Sequence, residues 1–396
     1  MNTMPRAGAP EPDESAGAAE VAAMRRVHRT ASELRRGAPV VLEVGAARLI
    51  LLAAETAEAA GLGEVLALAA GPPALLLARH RAEDLRAAAS VGFSPAGPRS
   101  DLPIDFAPLA AFALPVERLE GALLRRLADP TLPQTAGLAS VLSEVALPAG
   151  AEAAVHLAKI ARLLPAVLVA TLDAGHDAAK KDDLLAVAAE AIIAYPLALT
   201  TGLRRVAEAE VPLESAPDAR VIAFRPLDGG VEHLAIVVGH PERESAPLVR
   251  VHSACLTGDL LGSLRCDCGP QLRAALARMN ESGAGVLLYL AQEGRGIGLV
   301  NKLRAYAIQD RGQDTVDANL SLGWAVDERS FLAAAIMLEQ LGLRRVRLLT
   351  NNPAKVAALT AHGIEVVARE PHVSAPNGVN DGYLRAKAER LGHLLG

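Results

Sequence analysis

Short aliphatic runs recur along this chain, each followed by a stretch of helical length, and this alternation constrains the fold more than any other feature. APVVLEV (38–44) and RLILLAAE (48–55) read as two strands joined by Gly45-Ala46-Ala47. PALLLARH (73–80) is another strand, followed by a helix near 82–90, and PAVLVATL (165–172) is a further one. DDLLAVAAEAII (182–193) reads as helix. RVIAFRPLDGGVEHLAIVVGH (220–240) reads as a hairpin about Asp228-Gly229-Gly230. The pattern then predicts helix 269–281, strand 285–290, helices 299–310 and 328–341, strand 344–349 and helix 353–362. The expected class is α/β, with a mixed sheet and flanking helices in the C-terminal part. Only 3% of residues are aromatic, so Leu, Val, Ile and Ala must fill the cores.

A chain of 396 residues is long for one domain and suggests two. The composition shifts at RVAEAEVPLESAPD (205–218), which places the boundary between residues 207 and 208. The first domain then spans 28–207 and the second 208–396. Residues 1–27, rich in Ala, Gly, Pro and Glu, read as a disordered tail. The formal net charge of −5 leaves no footprint for generic nucleic-acid binding. No charge-free apolar stretch approaches the ~18 residues of a membrane span. The first residues lack the apolar core of a signal peptide, so the expected compartment is the cytoplasm.

All three cysteines fall in one short stretch, as Cys255 followed by Cys266-Asp267-Cys268. A disulfide framework does not suit an odd number in a long chain of this kind. Three thiolates suit a borderline-soft cation, Zn²⁺ above all, and leave one tetrahedral position open, as catalytic zinc requires. Three buried structural thiols are the alternative. The interleaved Ser253, Thr257, Asp259, Arg265 and Asp267 make a plain core segment less apt. His252 lies three residues before Cys255, on the same predicted strand, and is not read as a fourth ligand.

VLLYL runs into Gln292-Glu293-Gly294-Arg295-Gly296-Ile297-Gly298 before a helix. Glycines between strand and helix let backbone N–H groups approach an anion, although a plain turn has the same look. There Arg295 suits a phosphate, and Glu293 suits the N1–H and 2-amino group of a guanine. A second such junction is Thr350-Asn351-Asn352-Pro353, with Lys355 just beyond. It reads either as simple capping by Asn352 and Pro353 or as another anion site. Asp327 precedes a predicted helix and could be its cap, whereas Arg329 in a first turn opposes the helix dipole and hints at a ligand. Tyr306 sits among apolar helical positions, suited to the core or to function.

Together the segments RVHSACLTGDLLGSLRCDCGPQL, QEGRGIGLVNKLRAYAIQDRGQDTVDAN, DERSF and LLTNNPAKV closely resemble the GTP cyclohydrolase II family, from about residue 208 to 395. The resemblance implies that Cys255, Cys266 and Cys268 bind zinc. It implies that Arg250, Val251, His252, Ser253 and Ala254 form a nucleotide-binding segment. Gln271, Glu293, Gly294, Arg295, Thr315, Thr350 and Lys355 match GTP-contacting positions. Asp327 matches a proton acceptor, Arg329 a nucleophile or α-phosphate partner, and Tyr306 a tyrosine that assists the ring chemistry. The implied reaction converts GTP to 2,5-diamino-6-ribosylamino-4(3H)-pyrimidinone 5′-phosphate, formate and pyrophosphate, with Zn²⁺ in the protein and Mg²⁺ on the triphosphate, in a homodimer. Two positions depart from the family: Ala254, where many members have Glu, and Ala291, where many have Arg.

The N-terminal half resembles 3,4-dihydroxy-2-butanone 4-phosphate synthase at ASELRRGAPVVLEVG and at its exit, 165–225. The acidic run that would bind Mg²⁺ after the first strand is replaced by EVGAARLILLAAE, and no His-Thr-Glu element follows. The expectation is a retained scaffold without synthase chemistry. An active bifunctional enzyme and a non-catalytic GTP-binding regulator are the other readings.

Overall fold

The computed structural model describes residues 14–88, 108–134, 138–173, 184–373 and 375–394. Two seven-stranded sheets organise them. The first contains β1 (Val40–Val44), β2 (Ala47–Ala53), β3 (Ala74–Ala78), β4 (Leu109–Ala113), β5 (Ser143–Val145), β6 (Ala166–Thr171) and β7 (Ala186–Ala188). Their order across the sheet is β5-β4-β3-β6-β2-β1-β7. The β1–β2 hairpin pairs Val44 with Ala47 around Gly45, as the sequence suggested. Nearly continuous aliphatic strands such as ALLLA and AVLVAT are buried because helices and loops cover both faces.

The second sheet contains β8 (Arg204–Glu210), β9 (Ala219–Arg225), β10 (His233–Gly239), β11 (Leu248–Ser253), β12 (Ala284–Leu290), β13 (Arg345–Leu349) and β14 (Glu365–Glu370). Its order is β14-β13-β11-β12-β10-β9-β8. The β11–β12, β11–β13 and β13–β14 pairs are parallel, and the β8–β9–β10–β12 side is antiparallel. Ligands in such sheets bind beyond the carboxyl ends of the parallel strands. The cysteine loop follows β11, the glycine loop follows β12, and Thr350 follows β13, so three predicted binding segments emerge side by side.

Four expectations need correction. Helix begins at Glu14 and runs to Arg36, and Met24, Val27, Ala31 and Leu34 are buried in the first core; the expected tail is therefore helical from residue 14, while 1–13 lie outside the described residues. Its spacing of three and four places those four on one stripe, and burial of that stripe outweighs the small-residue composition. The boundary at 207/208 falls inside β8, and the two sheets are joined through Gly202 and Leu203 instead. The predicted helix 182–193 is strand β7 followed by helix Ala189–Thr201, because Val41 and Leu42 of β1 pair with Ala186 and Val187; residues 182 and 183 lie outside the described set. The helix expected at 328–341 runs only from Leu332 to Gln340, with Phe331 at its cap position. Asp327 is thus not an N-cap, and Arg329 precedes the helix.

Candidate active site

The cysteine loop is shaped by one glycine. A Cβ on Gly258 would lie 2.7 Å from Cys266 Sγ and 3.1 Å from Cys255 Sγ. Only a residue without a side chain lets the loop fold back onto the thiols. The three Sγ atoms all lie within 4.8 Å of one another, with Cys255 and Cys266 3.7 Å apart. No other group of His, Cys, Asp or Glu among the described residues has that geometry. The three thiols cannot all ionise unaided: hydrogen bonds from Cys266 and Cys268 push Cys255 down, and Cys255 in turn pushes the other two up. A dication removes that conflict, so the donor set fits Zn²⁺.

His252 takes no part in the cluster. It is buried, its Nε2 is 3.1 Å from Asp259 Oδ1, and its ring stacks on Tyr289. Asp259 also accepts from the Cys255 N–H at 2.9 Å and so fixes the entry to the loop. Asp267, between the other two cysteines, accepts from Gln271 Nε2 and from Lys387 Nζ, each at 2.6 Å.

The glycine loop takes backbone conformations that explain its composition. Gly294, Arg295, Gly296 and Gly298 have φ of 62°, 59°, 95° and 87°. Arg295 holds this left-handed conformation at a cost of about 1 kcal/mol, as residues at functional sites often do. The Glu293 carboxylate accepts from Leu256 N–H at 2.6 Å, from Gly294 N–H at 3.0 Å and from Lys302 Nζ at 2.8 Å. Oε2 thus ties the glycine loop to the cysteine loop directly, and Oε1 does so through Lys302. Lys302 also donates to Cys255 Sγ at 3.0 Å and to Thr257 Oγ1 at 2.8 Å.

Asp327 and Arg329 form a two-pronged pair. Asp327 Oδ1 accepts from Arg329 Nε at 2.8 Å, and Oδ2 accepts from Nη2 at 2.5 Å. Burial works to raise the Asp327 pKa, but the guanidinium outweighs it and holds the carboxyl below its usual range. Lys355 is buried beside Arg250 and Arg329; desolvation, then those two cations, push its ammonium well below the ordinary lysine range. Its Nζ donates to Val251 O at 2.8 Å.

One cleft gathers most of the predicted residues. Arg250, His252, Ser253, Ala254, Cys255, Cys266, Cys268, Gln271, Glu293, Gly294, Arg295, Tyr306, Thr315, Arg329 and Lys355 all line it. Three predicted residues do not. The Val251 side chain is in the core of the second sheet, and only its carbonyl meets Lys355. Thr350 is buried, its Oγ1 accepting from Asn352 N–H, while Asn352 caps the next helix as expected. Asp327 stands behind Arg329. Tyr306 faces the cleft with the Arg265 guanidinium 4.8 Å from its ring centre.

Sequence reasoning missed Lys302, Asn319, Tyr383, Lys387 and His393, which also line the cleft. Lys302 left a signal, because it sits on the buried face of helix Leu299–Gln309, where a solvated lysine has no place. Asn319 ends the segment QEGRGIGLVNKLRAYAIQDRGQDTVDAN without being singled out, and Tyr383, Lys387 and His393 left no signal, since helix Asp381–Leu391 and the residues after it reach the cleft only through tertiary folding. The cleft lining carries Arg250, Arg295, Lys302, Arg329, Lys355 and Lys387 against one carboxylate, Glu293. Arg250 Nε, Ser253 Oγ and Arg295 Nη1 are buried without a hydrogen-bond partner. Buried polar atoms of native proteins rarely stay unsatisfied, so these three are open to a polar ligand.

Of the two departures, Ala254 lines the cleft, and Ala291 donates its N–H to His233 Nδ1 at 2.9 Å. Burial lowers the His233 pKa to about 4. Burial, then the Arg250 charge, does the same for His372, whose Nε2 is 2.8 Å from Gln271 O. Unfolded histidine takes up a proton near pH 6.5, and these folded rings refuse it until about pH 4. Their contribution to stability is therefore full above pH 6.5 and lost as pH falls towards 4. Thermal melts are expected to show a falling midpoint across that window, with a shallower slope in His233→Gln. A His233→Gln variant that keeps the wild-type slope would remove His233 from the account.

Fold and site together describe an α/β protein with a three-thiol cluster and a cationic cleft at the carboxyl ends of parallel strands. A sequence model of GTP cyclohydrolase II matches residues 204–371. GTP cyclohydrolase-2 of Azospirillum brasilense is 47% identical over 395 residues, covering 97% of each chain. GTP cyclohydrolase-2 of Escherichia coli (strain HS) is 54% identical over 193 residues, 49% of this chain and 98% of its own. A riboflavin biosynthesis protein of Parabacteroides distasonis is 43% identical over 254 residues, 62% of each chain. This chain belongs to the GTP cyclohydrolase II family. Among solved structures, a two-domain 3,4-dihydroxy-2-butanone 4-phosphate synthase from A. baumannii aligns with 88% of this chain at 20% identity with a TM-score of 0.32.

Proposed function

We propose that the chain hydrolyses GTP to 2,5-diamino-6-ribosylamino-4(3H)-pyrimidinone 5′-phosphate, formate and pyrophosphate, for riboflavin biosynthesis. The observation that carries this reading is the placement of the thiol cluster inside the cationic cleft. Cys255, Cys266 and Cys268 would hold Zn²⁺, and Mg²⁺ would accompany the triphosphate. When bound there, zinc supplies the Lewis acidity that makes hydrolytic water available near neutral pH.

The protein's own groups do the rest. Arg295 and Arg329 offer positive charge to phosphate oxygens, Lys355 gains its charge as a phosphate offsets the neighbouring cations, and Arg295 Nη1 is free to donate. Arg329 is pre-oriented by its two bonds to Asp327 and needs little reorganisation when the α–β phosphate bond breaks. This reading keeps Asp327, held ionised by that pairing, as the proton acceptor, acting from behind Arg329 and not from the cleft lining. The Tyr306 hydroxyl stays protonated, because burial raises its pKa, and it is available to orient or protonate the opening ring. Glu293 acts first on the protein, fixing the two loops to each other, and its remaining lone pairs are what it can offer a guanine edge.

The N-terminal half, in this reading, keeps a synthase scaffold without synthase chemistry. The enzyme acts in the cytoplasm, and no helix among the described residues is long and apolar enough to cross a membrane. It works as a homodimer; Leu260, Leu261 and Leu264, exposed by 73%, 70% and 62% in the cysteine loop, are the kind of apolar patch a second copy covers.

The test is incubation of zinc-loaded protein with GTP and Mg²⁺, following formate, pyrophosphate and the pyrimidinone together. All three are expected. Pyrophosphate without formate would refute the role of the thiol cluster, and GTP bound but unchanged would make the chain a regulator. With ribulose 5-phosphate no formate is expected; its release would make the enzyme bifunctional.

A further inference from the structure

Besides the packing of helix Ala189–Thr201 on helix Leu332–Gln340 and the Tyr195–Asp228 hydrogen bond, contacts between the two halves run along one stretch, residues 297–329, which begins in the glycine loop and ends on the Asp327–Arg329 pair. Ile297, Ala305, Ile308, Ala318, Leu322 and Trp324 are buried in the same apolar cluster as Leu52, Leu77 and Phe112 of the first sheet. Asn301, fully buried, donates from Nδ2 to Arg162 O at 3.0 Å. Arg304 pairs with Glu55 and Asp129, and Ser321 Oγ donates to Asp84 at 2.9 Å. At the end of the stretch Lys159, from helix Ala151–Ile160, places its Nζ 2.6 Å from Glu328 Oε1. The two side chains are only 13% and 22% exposed.

Glu328 stands between Asp327 and Arg329 in sequence and clasps their segment to the glycine loop. Its N–H donates to Arg295 O at 3.1 Å, and its carboxylate accepts from Ala325 N–H at 2.9 Å. A Cβ at Gly296 would lie 3.0 Å from the Glu328 backbone, so the two segments touch directly. Lys159 is the cation hydrogen-bonded to this carboxylate, and the Arg162 guanidinium lies near enough to add a second positive charge. Without it a poorly solvated charge would be left one residue from the Asp327–Arg329 pair, repelled by Asp327 and free to compete with it for Arg329.

We propose that Lys159 is a positioning residue for the cyclohydrolase site: through Glu328, the N-terminal half fixes the segment that aims Arg329 and Arg295 into the cleft. Lys159 does not line the cleft and touches no zinc ligand. The proposal rests on reading the cleft as the site of GTP hydrolysis, and it gives the half without synthase chemistry a task in the other half's reaction.

The experiment uses the zinc-loaded full chain with Lys159→Met, Lys159→Arg, Glu328→Gln and the Met/Gln double variant. Misplacement of catalytic groups by about 1 Å costs on the order of 10²-fold in rate. We therefore expect Lys159→Met to lower kcat for pyrophosphate and formate release by about 10- to 100-fold, at one zinc per chain and wild-type secondary structure. Lys159→Arg should restore most of it. The double variant should be no slower than the worse single one, because the charge conflict is then gone. Hydrogen exchange gives an arm that does not depend on turnover: the Ala325 and Glu328 amides should exchange faster in Lys159→Met, while those of β11 stay protected. Unchanged kcat with unchanged exchange would overturn the proposal, as would a loss that arginine fails to restore or losses that simply add. If the wild type itself does not turn over GTP, the functional reading fails, and the exchange arm alone still decides the Lys159 tie.

Discussion

Cys266→Ser should abolish formate release from GTP. The substitution exchanges one thiolate for a hydroxyl that stays protonated at neutral pH, leaving two ligands where three converge within 4.8 Å. Loss of a partner outside the metal's own ligands typically costs 10- to 100-fold in metal affinity or activity, and loss of a ligand should exceed that. Bound zinc should fall well below one per chain, while circular dichroism stays that of the wild type, since Cys266 belongs to none of the apolar clusters of the two sheets. Formate released at the wild-type rate by a protein without zinc would end the metal assignment.

Arg304→Ala is expected to be the most destabilising single change between the halves. Its guanidinium meets Asp129 Oδ2, Glu55 Oε1 and Asn301 Oδ1 at 2.9, 2.9 and 2.8 Å. The three charged side chains are 18%, 10% and 16% exposed, so water cannot readily replace the lost cation. Removing one partner of a largely buried ion pair costs about 3–5 kcal/mol, because the other charges stay behind without compensation. Calorimetry should show a melting midpoint lower by several degrees, and Arg304→Met, which keeps the stem, should lose nearly as much. A midpoint within a degree of the wild type would show that the cluster is solvated in solution and contributes little.

The fold was legible where local pattern and tertiary outcome agree. The 228–230 hairpin, the strands at 166–171 and 284–290, and the Asn352–Pro353 cap follow from alternation and turn chemistry that no distant contact overrides. Residues 186–188 illustrate the opposite case. Their Ala-rich sequence is sound helix, but the open edge of β1 recruits them as a parallel strand. The helix at 14–36 was hidden because its apolar stripe is thin and made partly of alanine.

At the site, residues close together in sequence were readable and those brought in from afar were not. The three cysteines, Glu293, Arg295 and Lys355 stand in short segments whose spacing carries chemistry. Tyr383, Lys387 and His393 belong to a stretch without such spacing and reach the cleft only when the last described helix packs. The second role of Glu293, tying two loops together, is likewise invisible until Leu256 and Lys302 are placed beside it.

The clasp on Asp267 has a meaning for how the protein is made. Its countercharge, Lys387, lies 120 positions downstream. A ribosome therefore delivers all three thiols, and the buried carboxylate between two of them, long before it delivers the ammonium that neutralises that carboxylate. Domains tend to fold in the order they are synthesised, and here the N-terminal half can be finished while the thiol loop still carries an unpaired charge. The Lys387 tie on Asp267 can form only once helix Asp381–Leu391 has emerged, so the thiol loop is translated well before the last of its buried contacts exists. A chain cut short between Cys268 and Lys387 would keep every thiol and still lack the countercharge on Asp267.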